Sequence, residues 1–203
     1  MASIYLASRS PRRRELLAQM GVKFEPLLFR EGTRLDADTL EDPLPGEMPE
    51  DYVRRVTQMK ATAGWQRVTF RQGQMRMPVL AADTTVAFGN EILGKPANRA
   101  DAVRMLKLLS GTCHVVLTAV GIAFEGRYES VMSESCVTFA PLDDLRIEAY
   151  VDSGEPFDKA GAYAIQGRAG AFVQRLEGSY TGVVGLPLFE TSELLRTFGV
   201  VVS

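Results

Sequence analysis

Ile4-Tyr5-Leu6-Ala7-Ser8-Arg9-Ser10-Pro11-Arg12-Arg13-Arg14-Glu15-Leu16-Leu17-Ala18-Gln19-Met20-Gly21 spells a strand, a tight loop and a helix in one short run. Ile4 to Ala7 is a buried-strand pattern, Ser8 to Pro11 punctuates it, and the stretch from Arg12 ends at a glycine suited to close a helix. Ser10 fits the N-cap and Pro11 the first helical position. Farther along, Val79-Leu80-Ala81-Ala82 is an apolar run ending at Asp83, which places that acid within or beside a sheet. Thr84 to Phe88 and Glu91 to Leu93 flank Gly89-Asn90, a two-residue hairpin signal. Asn98 caps a helix whose apolar residues Ala102, Met105, Leu106 and Leu109 recur at helical spacing up to Ser110-Gly111. Strands are expected at Val115 to Phe124 and Ser135 to Phe139, around a turn at Glu125-Gly126, and again at Phe172 to Leu176. Helices are expected over Glu50 to Trp65, Asp143 to Val151 and Leu188 to Phe198. Arg30 to Pro49, broken by Pro43, Pro45 and Pro49, reads as an exposed loop, Trp65 to Met77 as an irregular connection, and Gly178 to Pro187 as a Gly-rich turn region. No repeat is visible, so the expectation is an α/β fold with a mixed sheet over 1–203, as one compact domain or as two small lobes sharing a cleft.

Composition narrows the chemistry. The chain has 203 residues, 46% of them apolar and 24% charged, with 25 acidic against 23 basic side chains. That is ordinary globular composition with enough apolar content for a core, and it excludes whole-chain disorder. The longest apolar stretches are about half of the roughly 20 residues a membrane span needs, and the start of the chain has no signal-peptide pattern, so a cytoplasmic protein without a membrane partner is expected. Cys113 and Cys136 are too few for a disulfide framework or a Cys-rich zinc site, and the lone His114 removes any two-His motif. The near-neutral balance disfavours a general nucleic-acid partner, because no broad basic face is on offer. Carboxylates, lysines, arginines and hydroxyls are left to do the work, at a local anion site.

Three constellations offer such a site. In the first, Arg12, Arg13 and Arg14 fill the first helical turn after Ser8-Arg9-Ser10-Pro11. Cations there oppose the helix dipole by about 0.3 to 1 kcal/mol each, and an anion would reverse the sign. A phosphate chain could rest on the free N–H groups, be clamped by guanidinium forks and touch Ser8 or Ser10, although a solvated basic turn is the plain alternative. No Gly-Lys-Ser or Gly-Lys-Thr ending marks a Walker loop. The second constellation joins Ala82-Asp83-Thr84-Thr85-Val86 to Gly94-Lys95-Pro96. An acid closing an apolar strand needs a metal, a cation or a reacting water, which makes Asp83 the best candidate for a catalytic carboxylate and Lys95 a candidate to neutralise phosphate charge. Lys60, in Gln58-Met59-Lys60-Ala61, has the pattern of an ordinary helical lysine. The third runs from Glu155 to Gly167, with Gly178-Ser179-Tyr180 and Val184-Gly185-Leu186-Pro187 beyond it. Small residues there admit a ligand or another backbone, and Gln166 offers a donor and an acceptor to a base edge. His114 reads as an ordinary residue at a strand entry.

Ser8-x-Ser10-Pro11-Arg12-Arg13-x-Glu15-Leu16-Leu17, Ala82-Asp83-Thr84-x-Val86, Gly94-Lys95-Pro96 and Asp158-Lys159-Ala160-Gly161-Ala162-Tyr163-x-Ile165-Gln166-Gly167 together resemble the Maf family of nucleoside triphosphate pyrophosphatases. The match runs nearly end to end. It implies an elongated α/β fold related to inosine triphosphate pyrophosphatases, with a curved mixed sheet and a central cleft, and cleavage between the α and β phosphates with a divalent cation, Mg²⁺ or Mn²⁺. By resemblance Asp83 is the proton acceptor and a metal ligand, with Lys60 and Lys95 beside it, while Ser8 and Arg13 contact phosphate. The family also uses acids after the first helix to hold metal. Here Phe29-Arg30-Glu31-Gly32-Thr33 lacks the usual pair, which leaves Glu31 as the offered ligand.

Arg12, Thr84 and Gln166 match the thymidine and uridine triphosphate branch, whereas the 7-methylguanosine triphosphate branch carries Trp, Gln and Glu at those places. A cationic base suits an aromatic face and a carboxylate, while uracil and thymine present an N–H beside carbonyl oxygens that a neutral amide can pair. Bases modified at C5 leave that edge unchanged and are expected to be accepted. A homodimer is the family expectation. The rival reading is a nucleotide-sensing regulator of division or septum formation in which hydrolysis is slow or incidental.

Overall fold

The computed structural model describes residues 3–27, 41–71 and 73–202, so Glu31 and the first part of the Arg30 to Pro49 loop lie outside the described residues. The opening run folds as its sequence reads: β1 (Ile4–Leu6), then α1 (Pro11–Gln19), whose N-cap Ser10 accepts a hydrogen bond from the Arg13 backbone N–H. β2 (Phe24–Pro26) follows, then the long α2 (Pro49–Phe70), β3 (Val79–Phe88) and β4 (Glu91–Leu93). Next come α3 (Arg99–Leu109), β5 (Cys113–Phe124), β6 (Arg127–Phe139) and α4 (Asp144–Asp152). Two short 3₁₀ turns at Ala160–Ala162 and Arg168–Phe172 lead to β7 (Val173–Glu177), α5 (Tyr180–Val184) and α6 (Leu188–Thr197). The strands form one mixed sheet in the order β2-β1-β3-β5-β6-β7, with β4 paired to β3 beside that path. β1 runs parallel to β2 and β3, and the other pairs are antiparallel.

Alternation along β3 shows how the sheet is covered. Leu80 and Ala82 face α1 and α6 with Leu16, Leu17, Leu194 and Leu195, while Val79 and Ala81 face α2 with Ala61 and Val68. A strand covered on both faces reads as a continuous apolar run, and Val79 to Ala82 does so. Farther along, Val86 joins a second core with Leu93, Val116 and Phe139, closed by Leu106 and Leu109 of α3 and Ile147 and Val151 of α4. β3 thus passes from one core into the other. Asp83 and Thr84 stand at the crossing, half-buried, where the cores part.

Several expectations shift. Asp83 lies inside β3, opposite Ala119 of β5, and not at a strand end, because pairing to β5 carries the strand through to Phe88. α2 continues past Trp65 to Phe70, since Val68 repeats the buried stripe of Ala61 and Gly64, so the first half of the expected connection is helical. β6 starts at Arg127, well before Ser135. Its polar Glu129, Ser130 and Glu134 conceal the strand in sequence, whereas pairing with β5 along its whole length defines it. The Gly178 to Pro187 region contains α5, capped by Ser179, whose hydroxyl accepts from the Gly182 N–H. Cys113 and Cys136, too few for a framework, are joined by a single disulfide between β5 and β6. No helix among the described residues is long and apolar enough to cross a membrane.

Candidate active site

A cavity of about 1350 Å³ opens where the two cores part, large enough for a whole nucleotide with its phosphate tail. Its lining brings together Ser8, Arg12, Arg13, Lys60, Asp83, Thr84, Lys95 and Gln166, residues scattered over most of the chain.

A cluster of paired charges forms where α2 passes over β3. Gly64 allows the close approach, since a Cβ there would meet Val79 Cγ1 at 2.7 Å. One turn before it, Lys60 directs its Nζ to Asp83 Oδ1 at 2.7 Å and to Glu41 Oε1 at 2.9 Å. Asp83 is 13% exposed and Lys60 20%, so the pair is sheltered from bulk water while still open to the cavity. Glu41 joins this cluster and the cavity lining although nothing in the sequence singles it out. It sits in a loop rich in acids, and spacing alone does not select it from Glu31, Asp36 or Asp38. The selection is tertiary. Glu47 takes both Arg55 Nε at 2.6 Å and Arg55 Nη2 at 2.8 Å, Arg55 Nη2 also reaches the Asp42 carbonyl, and Tyr52 donates its hydroxyl to the Glu41 carbonyl at 2.8 Å. The bond from Arg55 holds the Glu47 carboxyl below its ordinary pKa. Burial raises the Tyr52 phenol, and Asp83 and Glu41 add to the rise, so Tyr52 remains a protonated donor.

A second wall is built on α1 and α5. Arg13 donates through Nε to the Gly185 carbonyl at 2.8 Å and through Nη2 to the Thr84 hydroxyl at 3.1 Å. Burial pulls the guanidinium below its ordinary pKa, and nearby Asp83 opposes that pull. The Thr84 hydroxyl also lies 2.9 Å from that of Thr118, which donates to the Gly182 carbonyl at 2.8 Å. Thr84 is therefore the support on which Arg13 rests, and its hydroxyl is engaged within the protein. Ser8 accepts from the Ser10 N–H at 3.2 Å and shapes the loop ahead of α1, where Arg12 joins the lining.

The third wall is the Asp158 to Gln166 segment beside Lys95. Gly161 donates its N–H to the Gly94 carbonyl at 3.1 Å, tying this wall to the Lys95 loop. Gly161 has φ of 68° and packs on Val86, where a Cβ would sit 2.9 Å from the valine side chain, so only glycine satisfies both demands. Tyr163 places its hydroxyl 2.9 Å from Nε2 of the buried His114, which stands at the entry of β5. Burial lowers the His114 pKa to about 4, so this imidazole is neutral near pH 7.

The cavity thus gathers Arg12, Arg13, Lys60 and Lys95 around two carboxylates bridged by one ammonium, and Gln166 joins the same lining. Asp83 and Glu41 are hard oxygen donors of the type that Mg²⁺ and Mn²⁺ accept. Among the described residues no three His, Cys, Asp or Glu side chains gather into a complete metal cage. Two carboxylates still suit a cation such as Mg²⁺, which keeps waters and binds substrate phosphates through its remaining positions.

Over 97% of both chains this protein is 58% identical to the dTTP/UTP pyrophosphatase of Dechloromonas aromatica. It is 56% identical to that of Cupriavidus metallidurans, over 97% of this chain and 96% of the relative. The structure of the Staphylococcus aureus Ham1 protein aligns over 96% of each chain with a TM-score of 0.45 and 12% identity. The family model described as Maf-like protein matches residues 3–198, and the chain belongs to that family.

Proposed function

We propose that this protein is a nucleoside triphosphate pyrophosphatase that converts dTTP and UTP to the monophosphate and pyrophosphate. The observation that carries the reading is the Glu41–Lys60–Asp83 bridge beneath the Arg13 wall, in a chain 54–58% identical to curated dTTP/UTP pyrophosphatases. Lys60, Lys95 and Arg13 attract the triphosphate and offset the charge that builds on its oxygens in the transition state. Asp83 takes a proton from the water whose oxygen bonds to the α phosphorus. The bond from that phosphorus to the oxygen bridging to the β phosphorus breaks, and pyrophosphate leaves with that oxygen. A divalent cation held by Asp83 and Glu41 would screen the phosphates and acidify the attacking water. Arg13 is the more rigid part of the clamp, since Gly185 and Thr84 fix its plane. Asp83 is aimed by Lys60, which spans both carboxylates.

Gln166 is the base reader in this proposal. Its amide can donate to one carbonyl of uracil or thymine and accept from the neighbouring N3–H, while Arg12 adds charge near the nucleotide and Thr84 acts through Arg13. Because C5 lies off the pairing edge, 5-methyl analogues are substrates too. The chain acts as one unit with the cleft between its lobes, as a homodimer in the cytoplasm.

Pyrophosphate release from dTTP, UTP, CTP, GTP and 7-methyl-GTP with Mg²⁺ or Mn²⁺ tests the reading. Turnover of dTTP and UTP above the others is expected. Preference for 7-methyl-GTP would break the specificity assignment, and tight binding without release would favour the sensor.

A further inference from the structure

We infer that Glu155 is a positioning residue for base recognition, holding the turn that presents Gln166. The inference rests on the reading of Gln166 as the residue facing the base. Glu155 lies just after α4, outside the catalytic centre, and none of the steps above uses it. Its carboxylate reaches in two directions. Oε2 accepts the backbone N–H of Arg168 at 3.1 Å, and Oε1 accepts the hydroxyl of Tyr150, which is buried in the α3–α4 core, at 3.1 Å. The main-chain carbonyl of Glu155 accepts from Lys159 Nζ at 2.8 Å, so one residue ties down both flanks of the segment that lines the cavity.

Gly167 supplies an independent sign of the same contact. A Cβ on Gly167 would lie 2.2 Å from Glu155 Oε1 and 2.6 Å from its carboxyl carbon, so the turn rests directly on the carboxylate, which a larger residue there would displace. Gln166 is joined by a peptide bond to this glycine. The Gly167 N–H bonds the Ala164 carbonyl at 3.0 Å and its carbonyl accepts the Gly170 N–H at 3.0 Å, which makes Ala164 to Gly170 a tight double turn. Inside so short a closed turn, the bond from Arg168 to Glu155 fixes where the Gln166 amide stands relative to the sheet. A buried phenol on a helix of the second core thereby sets the base-reading wall, through one carboxylate.

The test compares Glu155→Ala, Glu155→Gln, Tyr150→Phe and Gln166→Ala with the parent enzyme. KM and kcat for UTP and CTP are measured together with the inhibition constant of inorganic tripolyphosphate, which has no base. Loss of a carboxylate-assisted bond corresponds to about a tenfold change. Glu155→Ala is expected to raise KM for UTP by roughly tenfold, with kcat changed less than about threefold and tripolyphosphate inhibition unchanged. Its UTP over CTP preference should fall toward that of Gln166→Ala. Glu155→Gln keeps an acceptor for Arg168 and is expected to restore most of the preference. Tyr150→Phe, which leaves the carboxylate in place without its phenol partner, should move the same quantities in the same direction by less. Parent-like KM and preference in Glu155→Ala, with Gln166→Ala impaired, would overturn the inference. Equal weakening of UTP and tripolyphosphate in Glu155→Ala and Tyr150→Phe would overturn it as well, by making the contact a general scaffold. If Gln166→Ala itself keeps the UTP preference, the base-reader assignment fails and the inference falls with it.

Discussion

Asp83 and Glu41 share one ammonium, and their replacement should have different consequences. Asp83→Asn keeps the shape and a hydrogen bond for Lys60 but removes the proton acceptor, so kcat for UTP is expected to drop by about 10²- to 10⁴-fold while nucleotide still binds. Isothermal titration beside the turnover assay checks both halves, and near-parent turnover would remove Asp83 from the role. Glu41→Gln keeps the tether of its carbonyl to Tyr52 and loses a charged oxygen donor. The half-saturating Mg²⁺ concentration is expected to rise by at least the roughly tenfold that losing an outer-shell partner costs, and a metal titration of activity reads it. Asp83 and Arg13 could be singled out in the sequence because their settings are unusual, an acid after an apolar run and cations at the wrong helix end, while Lys95 and Gln166 stood out only as a cation after the hairpin and an amide among small residues. Glu41 could not, since what distinguishes it is the Glu47–Arg55 and Tyr52 contacts that pin its loop to α2. Thr84 could be found but its part could not, because the hydroxyl it meets comes from β5 and the guanidinium it supports from α1.

At the scale of elements, two contacts decide whether the cleft keeps its shape. Gly64→Ala improves helix propensity by about 1 kcal/mol, yet its Cβ would meet Val79 at 2.7 Å and press α2 away from β3. Overpacking of that kind costs about 1 to 3 kcal/mol, so a lower melting temperature is expected despite the better helix former, with impaired turnover as Lys60 moves off Asp83. Differential scanning calorimetry and a UTP assay on the same sample check this. The second contact is His114 to Tyr163, between β5 and the third wall. Folding depresses the His114 pKa from 6.5 to about 4, so the unfolded chain binds the extra proton between those values. The stability conferred by the neutral state is full above pH 6.5 and is lost as pH falls toward 4, up to about 3 kcal/mol. Melting curves between pH 7.5 and 4.5 should therefore fall more steeply for the parent than for His114→Phe. α3, with its helical periodicity, and α1, with its cap, proline and closing glycine, were legible in the sequence, while β3 showed only as two pieces on either side of Asp83. β6 and the end of α2 were not, because long-range pairing and packing override weak local pattern there.

For the whole molecule, the position of the cleft follows from the two cores. β3 serves both, and the half-buried Asp83-Thr84 pair marks the place where the cores part along the strand. A polar interruption in a buried strand is costly, and here it is matched by Lys60, Arg13 and Thr118 from three different elements. Phosphate chemistry at this crossing has a definite outcome for every atom. Hydrolysis of UTP in water enriched in oxygen-18, followed by mass spectrometry of both products, is the measurement closest to the central claim that water activated at Asp83 attacks the α phosphorus. One labelled oxygen in the uridine monophosphate and none in the pyrophosphate is the expected result. Label in the pyrophosphate, or release of a diphosphate nucleotide with labelled inorganic phosphate, would contradict it.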